Sequence, residues 1–329
     1  AFVHSIERAL ARQAGLGSFW PGEPDSGALR RGWIDEATWL EQLTRLGSYL
    51  REATLYVLRR ERFDLLAAYQ PQCDDAGHQF LLRDPRQAEY SDADLRARLA
   101  EHLERAWREV DANLQAIIEA AGERTDVLVV ADHGMSPLHT IVYPNRLLAE
   151  KGLRVRGEGT EVHAEASGGE AHIYVNLAGR QAGGVVAASD YEALVARLLA
   201  IFKGLRDPAT REPVCELVVE RAATRAHHIL HAQATGDVWV SLKPGYAFYL
   251  NDDPGPLFEP APGRGQHGYL ARLREMETLF LAAGPHIQQR ELGRVNNVDV
   301  APTVAKILGI PAPRDAQGRV LSEILKSAE

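Results

Sequence analysis

Sulfur is scarce in this chain. Its two cysteines, Cys73 and Cys215, stand far apart, too sparse for a disulfide framework or for the paired spacing of a cysteine metal site. Apolar runs of eighteen or more residues are absent, so nothing in the sequence has the length of a membrane-spanning helix. Blocks of lysine and arginine are absent too, and a formal net charge of -8 argues against the basic face with which proteins meet nucleic acid. The opening AFVHSIERALARQAG has neither the basic leader nor the apolar core of a signal peptide, which leaves the compartment open. No internal repeat or low-complexity tract occurs. What is present, 329 residues of which 45% are hydrophobic, suffices for one elaborate domain or two modest ones.

The local patterns alternate between helix and buried strand. Residues 91–124 place Leu95, Leu99, Leu103, Val110, Leu114 and Ile117 at helical intervals, with Ser91 three residues before Asp94 as a capping-box spacing. Gly122 offers a stop. The run DVLVV that follows reads as a short strand buried on both faces. Earlier, WLEQLTRLGSYLREATLYVLRRER is helical in pattern, and FDLLAAY is an apolar run ending at QPQCDDAGH. This order implies an α/β fold with a central sheet flanked by helices on both faces, in which functional groups collect beyond the carboxyl ends of the strands. From about residue 155 the texture changes to glycine-punctuated strands, AHIYVNL and GDVWVSLKPGYAFYL, around one helical stretch, SDYEALVARLLAIFKGL. The expected organisation is a core over 1–154, an inserted α+β subdomain over 155–260, and a return to the core over 261–329. That return carries the strand METLFLAAG and a closing helix in VDVAPTVAKILGI.

Three loops combine aspartate and histidine: DDAGH with Asp74 and His78, ADHGM with Asp132 and His133, and GQHGY with His267. Any one of them alone is commonplace on a protein surface. Three at strand ends of one sheet point to metal. Imidazole nitrogen and carboxylate oxygen are the donors that Zn2+ accepts readily, although Mn2+ can use the same mixed set. Asp74 and His78 are four residues apart, so one helical turn brings them to a common face. Gly134 and Gly268 allow tight bends beside the ligands.

These loops resemble those of the alkaline phosphatase superfamily, in its type I phosphodiesterase/nucleotide pyrophosphatase branch. The likeness extends to SFWPGEP, to VDANLQAII before the strand, to GDVWVSLKPGYAF, and to the C-terminal VDVAPTVAKILGIPAP, and so covers nearly the whole chain. The resemblance implies an alkaline-phosphatase-like fold and two divalent metal ions, taken as Zn2+. One is assigned to Asp74, His78 and His267, the other to Asp132 and His133. In the family the second metal has a further aspartate, and a threonine or serine nucleophile lies between the ions. No stretch of this chain before WPG matches either, so both are expected upstream of Ala1, in a segment of ~60 residues at about 30 per strand-helix unit.

The expected function is a two-metal hydrolase of phosphate esters, a phosphodiesterase or nucleotide pyrophosphatase, with a small phosphate ester or nucleotide as its partner and no nucleic-acid scaffold. Two ions about 4 Å apart can hold the attacking and leaving oxygens of an in-line displacement. The alternatives are a phosphomonoesterase, phosphonate hydrolase or sulfatase of the same superfamily, or a truncated relative that binds metal without turnover. Tyr69 stands where the branch often has a tyrosine beside the substrate, able to stack on a base. The chain departs from the family pattern at Gln70, Pro71, Gln72 and Cys73, where acidic residues are common, and at Leu270 and Ala271, where Asp-Asn is usual. Asp75 could replace Asp74. His227 and His231 have the spacing of a helical metal pair without the accompanying glutamate. Trp20, Trp33 and Trp39 are candidates for a pocket mouth or for the core.

Overall fold

The computed structural model describes residues 23–251 and 253–326. Trp20 and most of the SFWPGEP segment fall outside the described residues. The chain divides into two compact units, one comprising Ala1–Ala76, Glu101–Asp132 and Thr278–Glu329, the other Gly77–Ala100 and His133–Glu277.

In the first unit, α1 (Ser26–Arg30) and α2 (Glu36–Arg60) are each opened by an aspartate. Asp25 accepts from the Ala28 amide and Asp35 from the Thr38 amide, which satisfies donors that a helix start leaves bare. Helix α3 (Gln72–Phe80) runs from the first unit into the second at Ala76–Gly77, and α4 (Ala93–Ala121) returns to the first at Ala100–Glu101 and takes its cap from Asp92, whose Oδ1 accepts from the Leu95 amide at 2.9 Å. The cap is therefore Asp92, one residue beyond the expected Ser91. Gly122, with φ of 75°, closes this helix. Arg51 donates to Asn113 at 3.1 Å and His102 contacts Glu36 at 2.9 Å, linking α2 with α4. Gln72 is fully buried against Gly47, where a Cβ would stand 1.9 Å from its Nε2, and Gln70 accepts from Asn113. Both glutamines thus serve the packing of α2 and α4. Trp39 belongs to the core, whereas Trp33 is 73% exposed beneath the Arg31 guanidinium.

Strand β1 (Val127–Val130) pairs antiparallel with β11 (Phe280–Ala283), the strand expected in METLFLAAG. The expectation that β1 is buried on both faces does not hold: Val130 is 43% and Leu281 60% exposed. Among the described residues β1 pairs with β11 alone, and burial on both faces requires layers packed above and below a sheet rather than a hydrogen-bonded neighbour at the edge. Residues 63–69, FDLLAAY, form no strand and lie mostly exposed, because no described strand pairs with them. A 3-10 turn (Asn297–Asp299) leads into α7 (Val300–Ile307), the expected closing helix.

The second unit carries β2 (Ser136–Pro137), β3 (Thr140–Val142), α5 (Pro144–Glu150), β4 (Val162–Ser167), β5 (Glu170–Val175), α6 (Tyr191–Lys203), β6 (Cys215–Glu220), β7 (Val238–Leu242), β8 (Tyr246–Phe248), β9 (Phe258–Pro260) and β10 (Gly265–Gln266). Strands β4, β5, β7 and β6 make an antiparallel sheet in that order. Strand β3 lies between β8, parallel to it, and β9, antiparallel. Helix α6 buries Val195, Leu198 and Phe202 in a core with Ile173, Val175, Val238, Val240 and Leu242. All five residues of β7 are buried, Trp239 and Ser241 included, so alternation along this interior strand is lost. Helices and sheets together give the α/β class, with the described pairing spread over four small sheets.

One buried group of the second unit titrates in an accessible range. The His139 ring donates to or accepts from Thr140 Oγ1 at 2.8 Å and stands edge-on to Tyr246, whose hydroxyl donates to Asp207 at 2.9 Å. Burial first, and the positive charge of Arg86 second, push His139 down from 6.5 to about 4. The unfolded chain therefore takes up a proton at a pH where the folded chain does not. This contribution to stability is complete above pH 6.5 and is lost as pH falls towards 4. In metal-free protein, urea midpoints are expected to decline over that window, and His139→Asn is expected to flatten the decline; an unchanged slope in the variant would count against the assignment.

Candidate metal centre

Helix α3 places Asp74 and His78 one turn apart, as the four-residue spacing requires. The helix meets β10 backbone to backbone: a Cβ on Gly265 would stand 2.3 Å from the Gly77 carbonyl oxygen. That approach lets His78 Nδ1–H donate to the Gly265 carbonyl at 2.8 Å, which leaves the lone pair on Nε2, the form a metal ligand needs.

His267 follows β10 directly and is set from two sides. The ladder pairs Gly265 with Pro137 and Gln266 with Ser136. The Gly168-Gly169 turn between β4 and β5 supplies the other support, for the Gly169 amide donates to the His267 carbonyl at 2.9 Å. A Cβ on Gly168 would meet that same oxygen at 2.4 Å. Gly268 adopts φ of 78°, where glycine is favoured. One ligand atom from each of Asp74, His78 and His267 lies within 4.8 Å of the others, a set of one carboxylate and two imidazoles suited to a divalent ion.

His133 stacks on His267 with ring centroids 3.7 Å apart and planes 10° from parallel, and His78 lies 5.1 Å from His267. Its Nδ1–H donates to the Gly134 carbonyl at 3.0 Å, again placing the lone pair on Nε2. Gly134 does not have positive φ. It is needed for space, since a Cβ there would stand 2.2 Å from the Glu275 carbonyl oxygen. Asp132 ends the segment after β1, where the Asn297 side chain donates to the Ala131 and Asp132 carbonyls at 3.0 and 2.9 Å. Among the described residues, Asp132 and His133 do not join a second cluster of three such ligands.

Tyr69 is 61% exposed. Partial burial and then the negative charges of Asp74, Asp132 and Asp75 push its phenol upward, which sets it in the field of the carboxylates. Asp75 is not in the ligand cluster. Burial, with Glu23 and Asp74 behind it, raises its carboxyl to about 7. The helical metal pair that the spacing of His227 and His231 would allow does not form, and local hydrogen bonds take its place. Residues Arg221–His227 make a 3-10 helix ended by left-handed His228, and His231 Nδ1 accepts from the Gln233 and Ala234 amides.

Asn297 and the Gly168-Gly169 turn were not among the candidates read from the sequence. Their roles depend on backbone groups far away in the chain, and the only local signal is the Gly-Gly pair, a two-residue hairpin turn.

Among curated proteins none matches the chain. Among solved structures, human ectonucleotide pyrophosphatase/phosphodiesterase 5 is similar at 16% identity and a TM-score of 0.57, with 87% of this chain and 64% of that one covered. The murine form of the same protein is similar at 15% identity and a TM-score of 0.52, with 84% and 64% covered. The likeness is one of fold, and the chain spans 64% of the length of these relatives. The profile of type I phosphodiesterase / nucleotide pyrophosphatase matches residues 9–270, a stretch that includes the loops of Asp74, Asp132 and His267. Most of the chain is thus accounted for, and it belongs to the type I phosphodiesterase / nucleotide pyrophosphatase family.

Proposed function

We propose that the protein takes part in two-metal hydrolysis of a phosphate ester, a diester or nucleotide pyrophosphate in preference to a monoester. The observation that carries this reading is the gathering of Asp74, His78 and His267 within 4.8 Å, with His133 stacked on His267, in a chain of this family. Asp74, His78 and His267 are the residues that would hold one divalent ion, and Asp132 and His133 contribute to a second. When bound, such ions supply Lewis-acid stabilisation of charge on the phosphoryl oxygens.

The protein's own groups have distinct parts in this reading. Gly265 fixes the His78 tautomer, Gly134 holds His133 in its own, and Asn297 steadies the carbonyls around Asp132. The exposed ring of Tyr69 offers a face on which a base or other planar group can stack. The attacking hydroxyl, a threonine or serine by the family resemblance, is assigned to no residue described above.

Zinc content after exhaustive dialysis, together with relative rates on a nitrophenyl diester, monoester and sulfate, tests the proposal. Bound zinc with the diester turned over fastest is the expected result. A faster monoester or sulfate reaction would move the protein to another activity of the superfamily, and bound zinc without turnover of any ester would make it a non-catalytic relative.

A further inference from the structure

The second unit contains a buried amide whose bonds converge on the segments that carry the histidines. Gln87 lies in the connection between α3 and α4 and is 5% exposed. Its Nε2 donates to the Leu81 carbonyl at 2.8 Å, the Arg264 carbonyl at 2.8 Å and the Leu138 carbonyl at 3.2 Å. Leu81 directly follows α3, the helix of His78. Leu138 follows β2 and, before it, His133. Arg264 precedes β10 and His267. The carboxamide oxygen accepts from the Arg83 and Asp84 amides at 2.7 and 2.8 Å. Two N–H groups and two lone pairs are thereby all engaged, one N–H being shared between carbonyls.

The same three segments also bond one another. The Arg264 amide donates to the His78 carbonyl at 2.8 Å, and the Leu138 amide donates to the Arg264 carbonyl at 2.8 Å. These backbone bonds fix two pairings, and the Gln87 side chain hydrogen-bonds to all three segments at once. From this geometry we infer that Gln87 is a positioning residue that sets the mutual spacing of His78, His133 and His267 for metal. The inference rests on the proposed metal reading of these histidines.

Its mechanism is mechanical rather than electrostatic. A ligand set that is already spaced loses little freedom when the ion arrives, and an imidazole displaced by a fraction of an ångström binds more weakly. Replacing the amide leaves buried carbonyls and amides unsatisfied, and these relax by shifting the segments they belong to.

The test compares zinc affinity, measured by chelator competition well below the unfolding temperature, in wild type, Gln87→Met and Gln87→Glu. Asn145→Leu serves as a control for general loss of stability. Asn145 is an equally buried amide of the same unit, bonded to the Ala164 amide and carbonyl. The Gln87 variants are expected to bind zinc about tenfold or more weakly, and the Asn145 variant to bind as wild type. Equal weakening in all three variants would make Gln87 a general stability residue, and no weakening in the Gln87 variants would also overturn the inference.

Should the Gln87 variants not fold, hydrogen exchange in the wild type decides. Zinc is expected to slow exchange at the Arg83 and Asp84 amides, since linkage makes the metal support the bonds that support it. Unchanged exchange there in zinc-loaded protein would overturn the positioning role. If wild type takes up no zinc, the metal reading itself fails; if it binds and the Gln87 results are negative, only this inference fails.

Discussion

Replacing His267 by alanine is expected to lower zinc content by one ion per chain and to reduce phosphodiester hydrolysis by about a thousandfold. Three protein ligands are the usual complement of a catalytic zinc, so the loss of one leaves Asp74 and His78 as a two-donor site that competes poorly with buffer and water. Lewis-acid stabilisation is worth several kcal/mol, and about 1.4 kcal/mol corresponds to a factor of ten in rate. The ring of His267 stacks on His133 outside the main core of the second unit, so the circular dichroism of the variant is expected to match that of wild type. Metal analysis and diester kinetics on the same preparation make the check, and a variant that retains its full zinc content would remove His267 from the ligand set.

The largest effect on stability is expected at Asp237, which is 1% exposed. Its carboxylate accepts from Arg180 Nη1 at 2.6 Å and Nη2 at 2.7 Å, from the Tyr191 hydroxyl at 2.7 Å and from the Val175 amide at 2.7 Å. Asp237→Ala strands the guanidinium, the phenol and a strand amide together. Breaking a buried pair costs about 3–5 kcal/mol, and the lower end applies here because Arg180 remains a third exposed. Urea denaturation with an unchanged slope measures it, and a loss below about 1 kcal/mol would place the pair among surface ion pairs. The pH dependence has a definite sign. Burial by itself raises this carboxyl, but the bonds from Arg180, Val175 and Tyr191 outweigh it and hold the group below its ordinary value. A depressed carboxyl stabilises the fold above its unfolded pKa of about 4, and the benefit disappears as acid protonates it.

The grouping of Asp74, His78 and His267 is legible because metal-donor side chains are written in residue types, and the i, i+4 spacing on α3 is a local geometric fact. Helices α2, α4 and α7 were legible from apolar periodicity. Strand burial was not: an apolar run records the capacity to be covered, whereas covering depends on neighbours. Residues 63–69 are apolar yet mostly exposed, and β1 is apolar yet only half-buried, with Val130 exposed. Gln87 was illegible for a different reason. Its partners Leu138 and Arg264 lie 51 and 177 residues away and are contacted at backbone carbonyls, so their identity carries no signal. Gln72, seen in sequence only as a departure from an acidic pattern, is explained by the close approach of α2 at Gly47, and Gln70 by its bond from Asn113.

The two-residue ladder between β2 and β10 also bears on how the protein folds. It joins Pro137 to Gly265 across the whole of 138–264, a span that holds its own sheets and core. Closing so long a loop costs entropy that two backbone pairings cannot repay, so the ladder forms after the intervening chain has collapsed. His133 and His267 therefore come together late, on a platform that already exists. On the proposed metal reading, capture is expected as a final step of maturation rather than the nucleus of folding, so protein made without zinc is expected to accept it afterwards.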